Sequence, residues 1–294
     1  MVATPIGNLE DITFRAVRIL KEASLIACED TRQTRKLLDH YSIETPTVSY
    51  HDHNEAERAV ELVSKLQAGE TIAQVSDAGM PGISDPGYRL INLAIASGIP
   101  VVPVPGASAL VTAIAGSGLP TDSFEFQGFL PAKSGQRKTA LEKFRDAGHT
   151  VVVYETPHRI REALEDVVAV MGGERRVVIA RELTKLHEEF LRGTAAELLE
   201  RVQAADLRGE ITLLIDKAAA RTTAEGRRAG AAFGESGEKP AAKRDLPARI
   251  QEIMRAQNLD EKAALKVLAR ELGVAKSEAY RELQRQIATR GNRR

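Results

Sequence analysis

The stretch Ser76-Asp77-Ala78-Gly79-Met80-Pro81-Gly82-Ile83-Ser84-Asp85-Pro86-Gly87 decides how the rest of the chain is read. It follows the apolar run Thr71-Ile72-Ala73-Gln74-Val75, so it is expected to leave the C-terminal end of a strand and to enter a helix with Pro86 at the first helical position. Its three glycines permit positive φ and close approach of a ligand, while its two prolines fix φ, so the loop is held in one shape. That is more constraint than a plain strand-to-helix turn requires, and two Ser-Asp pairs sit inside it.

Outward from this loop, short apolar runs alternate with amphipathic stretches between Val2 and Asp216. Strands are expected at 2–4, 25–28, 47–50, 71–75 and 101–104, with helices between them, such as the one whose Val60, Val63 and Leu66 follow the cap pair Asn54 and Glu57. Alternating strands and helices predict an α/β fold with a mostly parallel sheet covered on both faces. After Gly118-Leu119-Pro120-Thr121 a second series begins, at 124–128, 150–154, 176–180, 188–192 and 211–216. The chain is therefore expected to hold an N-terminal α/β domain over 1–119 and a C-terminal α/β domain over 120–217.

Residues 218–244 are dominated by Ala, Gly, Thr, Glu, Lys and Arg, with Phe233 the lone large apolar residue, and are expected to form a flexible linker. Helical periodicity returns over 245–294. Ile250, Ile253 and Met254 mark one helix, 263–272 a second and 277–287 a third, with Gly273 and Ser277 as caps. The pattern suits either a helix-turn-helix or a helical hairpin.

With 43% hydrophobic and 28% charged residues, the 294-residue chain has the composition of about two globular domains. No run of about eighteen apolar residues occurs and no basic segment followed by an apolar one opens the chain, so neither a membrane span nor a signal peptide is expected and the address is cytoplasmic. Cys28 is the single cysteine, which excludes an internal disulfide and a Cys-cluster metal site; it reads as a small buried hydrophobe. The net charge of zero conceals a division, +7 over 221–294 and −7 over 1–220, and a basic tail on an acidic body is expected to meet something anionic.

In open α/β sheets ligands sit at the carboxyl ends of the strands. Four loops fall there: Thr4-Pro5-Ile6-Gly7-Asn8, Glu29-Asp30-Thr31-Arg32, the Ser76–Gly87 loop, and Pro103-Val104-Pro105-Gly106-Ala107-Ser108. None has the pattern of a P-loop or of G-x-G-x-x-G. In the second series, Tyr154-Glu155-Thr156-Pro157-His158-Arg159 and the dense charged run from Arg181 through Lys185 to Glu189 follow strands. His51, His53, His158 and His187 have no metal-binding spacing, so no metal is expected.

Six motifs, Val2–Ile12, Cys28–Arg32, Val75–Gly87, Pro103–Ser108, Tyr154–Arg159 and Arg181–Lys185, resemble in this order the branch of the tetrapyrrole methylase superfamily that methylates small-subunit ribosomal RNA. The resemblance runs to about Asp216, and the tail from Asp245 is similar to that branch's small helical extension. It implies S-adenosylmethionine as methyl donor, the 2′-hydroxyl of a decoding-centre cytidine in 16S rRNA as acceptor, and a homodimer whose subunits each bind the donor in a cleft between two α/β domains. The implied partner is 16S rRNA or the small ribosomal subunit. By motif position it implies donor contacts from Ile6, Gly7, Asp77, Met80, Ser108 and Ala109, from Tyr154 or Glu155, and from Arg181 or Glu182. The first loop departs from the superfamily's Gly-x-Gly, reading Thr4-Pro5-Ile6-Gly7.

Methyl transfer from a sulfonium needs in-line approach in a dry cleft more than covalent help. A ribose hydroxyl is a poor nucleophile, so a base or cation that lowers its effective pKa is expected, with Lys185, Glu182, Glu29 and Asp30 as candidates. Tetrapyrrole or diphthine-type methylation, or a non-catalytic role in rRNA assembly, are the alternatives.

Overall fold

The computed structural model describes residues 1–204, 207–218, 246–257 and 260–272, together with Tyr280 and Leu283. The expected linker from 219 onward, and the third helix with its caps Gly273 and Ser277, lie outside the described residues apart from Tyr280 and Leu283. Met1–Ala220 forms one compact unit and Arg221–Arg294 another.

The first unit runs α1 (Phe14–Glu22), β1 (Leu25–Cys28), α2 (Thr31–His40), β2 (Thr47–Ser49), α3 (Glu55–Gln67), β3 (Ile72–Gln74), α4 (Tyr88–Ala96) and α5 (Ala109–Ser117). It continues with β4 (Phe124–Phe129), α6 (Ser134–Glu142), β5 (Thr150–Glu155), α7 (Ile160–Met171), β6 (Arg176–Arg181), β7 (Glu189–Thr194), α8 (Ala195–Ala204) and β8 (Ile211–Ile215). The first sheet has the order β2-β1-β3, and both pairs are parallel. Its central strand shows why: Ile26 and Cys28 point into one apolar cluster with Leu20, Leu38 and Val104, while Ala27 points into another with Tyr50, Leu62 and Leu90. A strand buried on both faces is the signature of a parallel sheet sandwiched by helices. Cys28 is fully buried, as expected, its thiol donating weakly to the Val48 carbonyl at 3.6 Å.

Two of the five strands expected in this half are reduced to bridges. Val2 N donates to the Gln74 carbonyl and Val104 N to the Met1 carbonyl, each at 2.8 Å, with single bridges Val2↔Val104 and Thr4↔Gly79. Pro103 lies inside one of these segments and Pro5 and Pro105 just after them, and residues without an N–H cannot extend the ladder. The helix after the Ser76–Gly87 loop begins at Tyr88 rather than at Pro86, because Gly87, with φ +152°, turns the chain first. In α3, Asn54 makes no side-chain cap; its Oδ1 accepts from His51 N at 2.9 Å. The buried face of α3 is Ala59, Leu62 and Val63, leaving Val60 exposed.

The second sheet has the order β4-β5-β8-β6-β7, and only β4–β5 is parallel. The expectation of a mostly parallel arrangement is corrected here, since β5–β8, β6–β8 and β6–β7 are antiparallel. The connection 182–188 is too short for the crossover of a dozen residues that parallel strands need. Helix α5 packs on β6, β7 and β8, so Ile6, Ile114 and Leu119 share a core with Val152, Val178 and Leu214. Residues on both sides of position 120 thus meet in one apolar cluster.

In the second unit, α9 (Leu246–Gln257) and α10 (Glu261–Leu272) pack through Leu246, Ile250, Ile253, Leu265 and Leu268, joined by Leu283. Asp260 Oδ1 accepts from Ala263 N at 2.7 Å, so α10 starts ahead of the expected residue 263. Lys262 and Lys266 are exposed. Among the described residues no helix is long and apolar enough to cross a membrane.

Candidate active site

A cavity of about 480 Å³ opens where the ends of the two sheets of the first unit face one another. This volume falls within the roughly 300–1,000 Å³ of small-molecule sites. From the first sheet it receives Ile6, Ala78–Met80, Ile83–Asp85, Ser108 and Ala109; from the second, Phe129, Tyr154–Pro157, Ala180, Glu182, Leu183, Lys185 and Gly209–Thr212.

The first wall is stitched by backbone. Thr4 N donates to the Gly79 carbonyl at 2.9 Å, Gly79 N donates back to Thr4 O at 3.0 Å, and Thr4 Oγ1 donates to Ser76 O at 3.1 Å. These bonds bring Ile6 and the Gly79–Met80 segment to one edge. Ser108 caps α5, accepting from Val111 N at 3.5 Å, and places the start of that helix at the cavity beside Ala109.

On the second wall, Tyr154 lies edge-on to Phe126 and Phe129, with ring centroids 4.8 and 5.8 Å away. Burial raises its phenol pKa and keeps it neutral. The Glu155 carboxylate is wholly buried; Arg159 Nε stands 3.3 Å from it and Thr156 N donates to it at 2.9 Å. Burial nonetheless pushes its pKa up.

At the rim, Lys185 Nζ stands 2.8 Å from Glu182 Oε1 and 3.2 Å from Glu210 Oε2, and Glu210 N also donates to Glu182 Oε1 at 3.1 Å. Burial of Lys185 works against its charge, but hydrogen bonds and attraction from both carboxylates prevail and raise its pKa. The Lys185 hydrogen bond holds the Glu182 carboxyl below its usual range. Two glycines make room for this group: a Cβ on Gly7 would overlap Lys185 Cγ, and one on Gly209 would overlap the Glu182 carboxyl. The loop is also strained, with φ of +50° at Glu182 and +67° at Thr184. Lys185 is therefore a fixed cation and Glu182 a fixed anion, and neither is poised to exchange a proton.

Of the residues singled out in the sequence, Ile6, Met80, Ser108, Ala109, Tyr154, Glu155, Glu182 and Lys185 line this cavity. Gly7 lies behind it, against Lys185. Asp77 is exposed and outside the lining, its Oδ1 accepting from Asp30 N at 3.1 Å. Asp30 caps α2 and pairs with Arg32 at 3.0 Å, which lowers its pKa. Arg181 turns to its cross-strand partner Glu189, 2.7 Å away. Glu29 also stays outside the lining; burial, and then Asp77, Asp85, Asp52 and Asp30, raise its pKa. No cluster of three His, Cys, Asp or Glu side chains suited to a metal occurs among the described residues.

Asp85, Gly209 and Glu210 join the cavity without having been singled out as site residues. Asp85 was in view as the second Ser-Asp pair of the opening stretch. Gly209 and Glu210 precede a strand, and the carboxyl-end rule does not inspect strand starts. Because β8 is antiparallel to β5 and β6, its first residue pairs with Glu155 and Arg181 at their carboxyl ends.

Residues 1–199 match the family model of the Tetrapyrrole (Corrin/Porphyrin) Methylases, which makes the two-sheet unit with its shared cavity a methylase of that class. Uroporphyrin-III C-methyltransferase from Thermus thermophilus, solved with S-adenyl homocysteine, shares this fold with a TM-score of 0.53 at 19% identity, over 73% of this chain and 95% of that one. Ribosomal RNA small subunit methyltransferase I of Halalkalibacterium halodurans is 55% identical over 216 residues, 74% of this chain and 74% of its own. Its counterpart in Streptococcus pyogenes serotype M3 is 42% identical over 282 residues, 96% of this chain and 93% of its own, so that likeness includes the helical unit. The chain belongs to the tetrapyrrole methylase family and, within it, to the ribosomal RNA small subunit methyltransferase I family.

Proposed function

We propose that the chain transfers a methyl group from S-adenosylmethionine to the ribose 2′-hydroxyl of a decoding-centre cytidine in 16S rRNA, working as a cytoplasmic homodimer. The observation that carries this is the pairing, in one cavity, of the apolar side chains of Ile6, Met80, Ile83 and Ala109 on one wall with a fixed cation, Lys185, at the rim. A dry pocket suits a nucleoside-type methyl donor, and a cation at its mouth suits a hydroxyl that must develop negative charge. Relatives 55% and 42% identical that are named for small-subunit rRNA favour an RNA acceptor over a tetrapyrrole or diphthine.

In this assignment Ile6, Met80 and the Gly79 backbone take the donor's flat adenosine, the Ser108–Ala109 amides take its carboxylate, and Tyr154 and Glu155 close the far side. Gly7, Asp77 and Arg181 act from behind: Gly7 by admitting Lys185, Asp77 by tying the loop to the start of α2, and Arg181 by bracing the β6–β7 hairpin. The bound donor supplies an electrophilic methyl on a sulfonium. Lys185 orients the ribose and stabilises charge on its oxygen, and Glu182 and Glu210 hold Lys185. The basic helical unit adds affinity for RNA phosphates.

Calorimetry with S-adenosylmethionine, followed by transfer of its labelled methyl to small ribosomal subunits and nucleoside analysis of the digested RNA, tests this. The expected product is 2′-O-methylcytidine. A methyl on a nucleobase, or binding without transfer to RNA, contradicts it.

A further inference from the structure

We propose that Phe129 is the platform on which the base of the acceptor nucleotide stacks, holding that nucleotide's ribose at the cavity opening, an assignment that rests on the function proposed above.

The ring is aimed by an irregularity in its strand. Edge strand β4 pairs with β5 in register as far as Phe126↔Val152, and the next pair is Phe129↔Tyr154, so β4 advances three residues where β5 advances two. Residues three apart in a regular strand point to opposite faces. The extra residue brings Phe126 and Phe129 back to one side, where both rings stand edge-on to Tyr154. Gly128 makes the bend with φ +64°, and a Cβ there would stand 3.3 Å from Ser84 Oγ. Bulges of this kind re-aim a side chain beside a site, and the side chain re-aimed here is Phe129.

Phe129 stands at the opening of the cavity. Ala180 and Thr212 line the same cavity and are buried, so they form its floor, whereas Phe129 keeps 52% of its surface exposed. Phe126, by contrast, packs against the core of α5 and the second sheet. A ring fixed in direction by Tyr154 and open to solvent offers a flat apolar face at little cost in ordering. Unpaired RNA nucleotides are held in this way, with the base splayed onto an aromatic side chain. Lys185 at the rim then meets the ribose oxygen, while the base rests on Phe129.

The chain that follows is held as firmly. Arg159 Nη2 donates to the Leu130 carbonyl at 2.5 Å, and Arg137 Nη1 to the Ala132 carbonyl at 3.2 Å. This loop ends at Lys133, an exposed residue just before α6, whose charge complements an RNA phosphate beside the stacked base.

The test compares Phe129→Ala, Phe129→Leu and Phe129→Tyr in the full chain, with S-adenosylmethionine and small ribosomal subunits. Donor affinity by calorimetry is expected to stay within about twofold of the parent in all three. For ribosomal subunits, kcat/KM should fall by about tenfold or more in Phe129→Ala. Phe129→Leu keeps an apolar side chain without a π face and should fall nearly as far, while Phe129→Tyr should stay within about threefold of the parent. Thermal midpoints and gel filtration check folding and assembly, and where Phe129→Ala lowers the midpoint the Leu and Tyr variants decide.

A kcat/KM within about threefold of the parent in Phe129→Leu overturns the stack, since any apolar side chain would then serve. A matching loss of donor affinity overturns it too, placing the ring in the donor's site, as does a loss that accompanies a change in oligomeric state. If the parent binds the donor but methylates no rRNA, the proposed function falls and the role of Phe129 with it. If the parent methylates rRNA and the Phe129 variants do so equally, the stack alone is overturned.

Discussion

On the cavity wall built by the second sheet every carboxylate meets a cation or an amide: Glu155 with Arg159 and Thr156 N, Glu182 and Glu210 with Lys185. On the wall built by the Ser76–Gly87 loop, Asp85 has Asp77, Asp52 and Glu29 for neighbours, and its pKa moves up rather than down. The difference lies in compensation: paired groups hold their protonation state and their place, whereas an uncompensated carboxylate in a half-buried site is left free to titrate. We therefore assign geometry and charge stabilisation to the paired wall, while the charge of the unpaired one follows pH.

The largest effect is expected where pairing is deepest. Arg137, 1% exposed, lies 2.7 Å from Asp166, which also accepts from Ser134 at 2.9 Å. Asp166→Ala leaves a buried guanidinium without its main partner and should cost about 3–5 kcal/mol. Chemical denaturation measures it, and a cost below about 1 kcal/mol would show that pairing in this half is incidental.

Next is Lys185→Met, which removes the fixed cation and leaves Glu182 and Glu210 facing each other. Turnover should fall by about 10²–10³-fold with donor affinity nearly unchanged. Gly7→Ala should act in the same direction through the displaced lysine stem. Kinetics beside calorimetry decides this, since an equal loss in donor affinity would make Lys185 a binding group.

A smaller effect is expected from ending the chain at Ala220, where the first compact unit ends. The remaining acidic unit, net −7, should fold and bind the donor but bind ribosomal RNA roughly tenfold more weakly, with a shallower dependence on salt. Loss of the dimer with RNA affinity and salt slope unchanged would assign the helical unit to assembly instead.

The smallest effect separates the walls by pH. Because the folded-state pKa of Asp85, about 6, lies above the ordinary 3.8, the folded protein holds this proton more tightly than the unfolded chain. Its contribution to stability is therefore present below about pH 4 and lost as pH rises through 6. Asp85→Asn should exceed the parent in stability by about 1 kcal/mol at pH 8, after solvent screening, and match it at pH 4. Unfolding curves at the two values measure this, and a difference that does not change with pH would contradict it.

Much of the fold was legible because parallel strands buried on both faces announce themselves as unbroken apolar runs, as Leu25-Ile26-Ala27-Cys28 does. The antiparallel half was misjudged because strand direction leaves no trace in an apolar run. It lies instead in connection length, and 182–188 was read as a charged loop rather than as a hairpin. In the site, the loops after strands were found by rule. Gly209 and Glu210 were not, since their place depends on β8 running backwards. Asp77 drew notice over Asp85 because its glycine neighbour signals close approach, yet burial distinguishes the two carboxylates, and burial is a property of the folded chain.

The central claim is that this cavity methylates one ribose hydroxyl in the decoding centre of small-subunit rRNA. It is tested most directly by mapping ribose methylation along 16S rRNA from cells with the protein, without it, and with the Lys185→Met form. The account predicts one cytidine 2′-O-methyl group in the decoding centre that is present in the first and absent or greatly reduced in the other two. An rRNA methylation pattern identical in all three would contradict it.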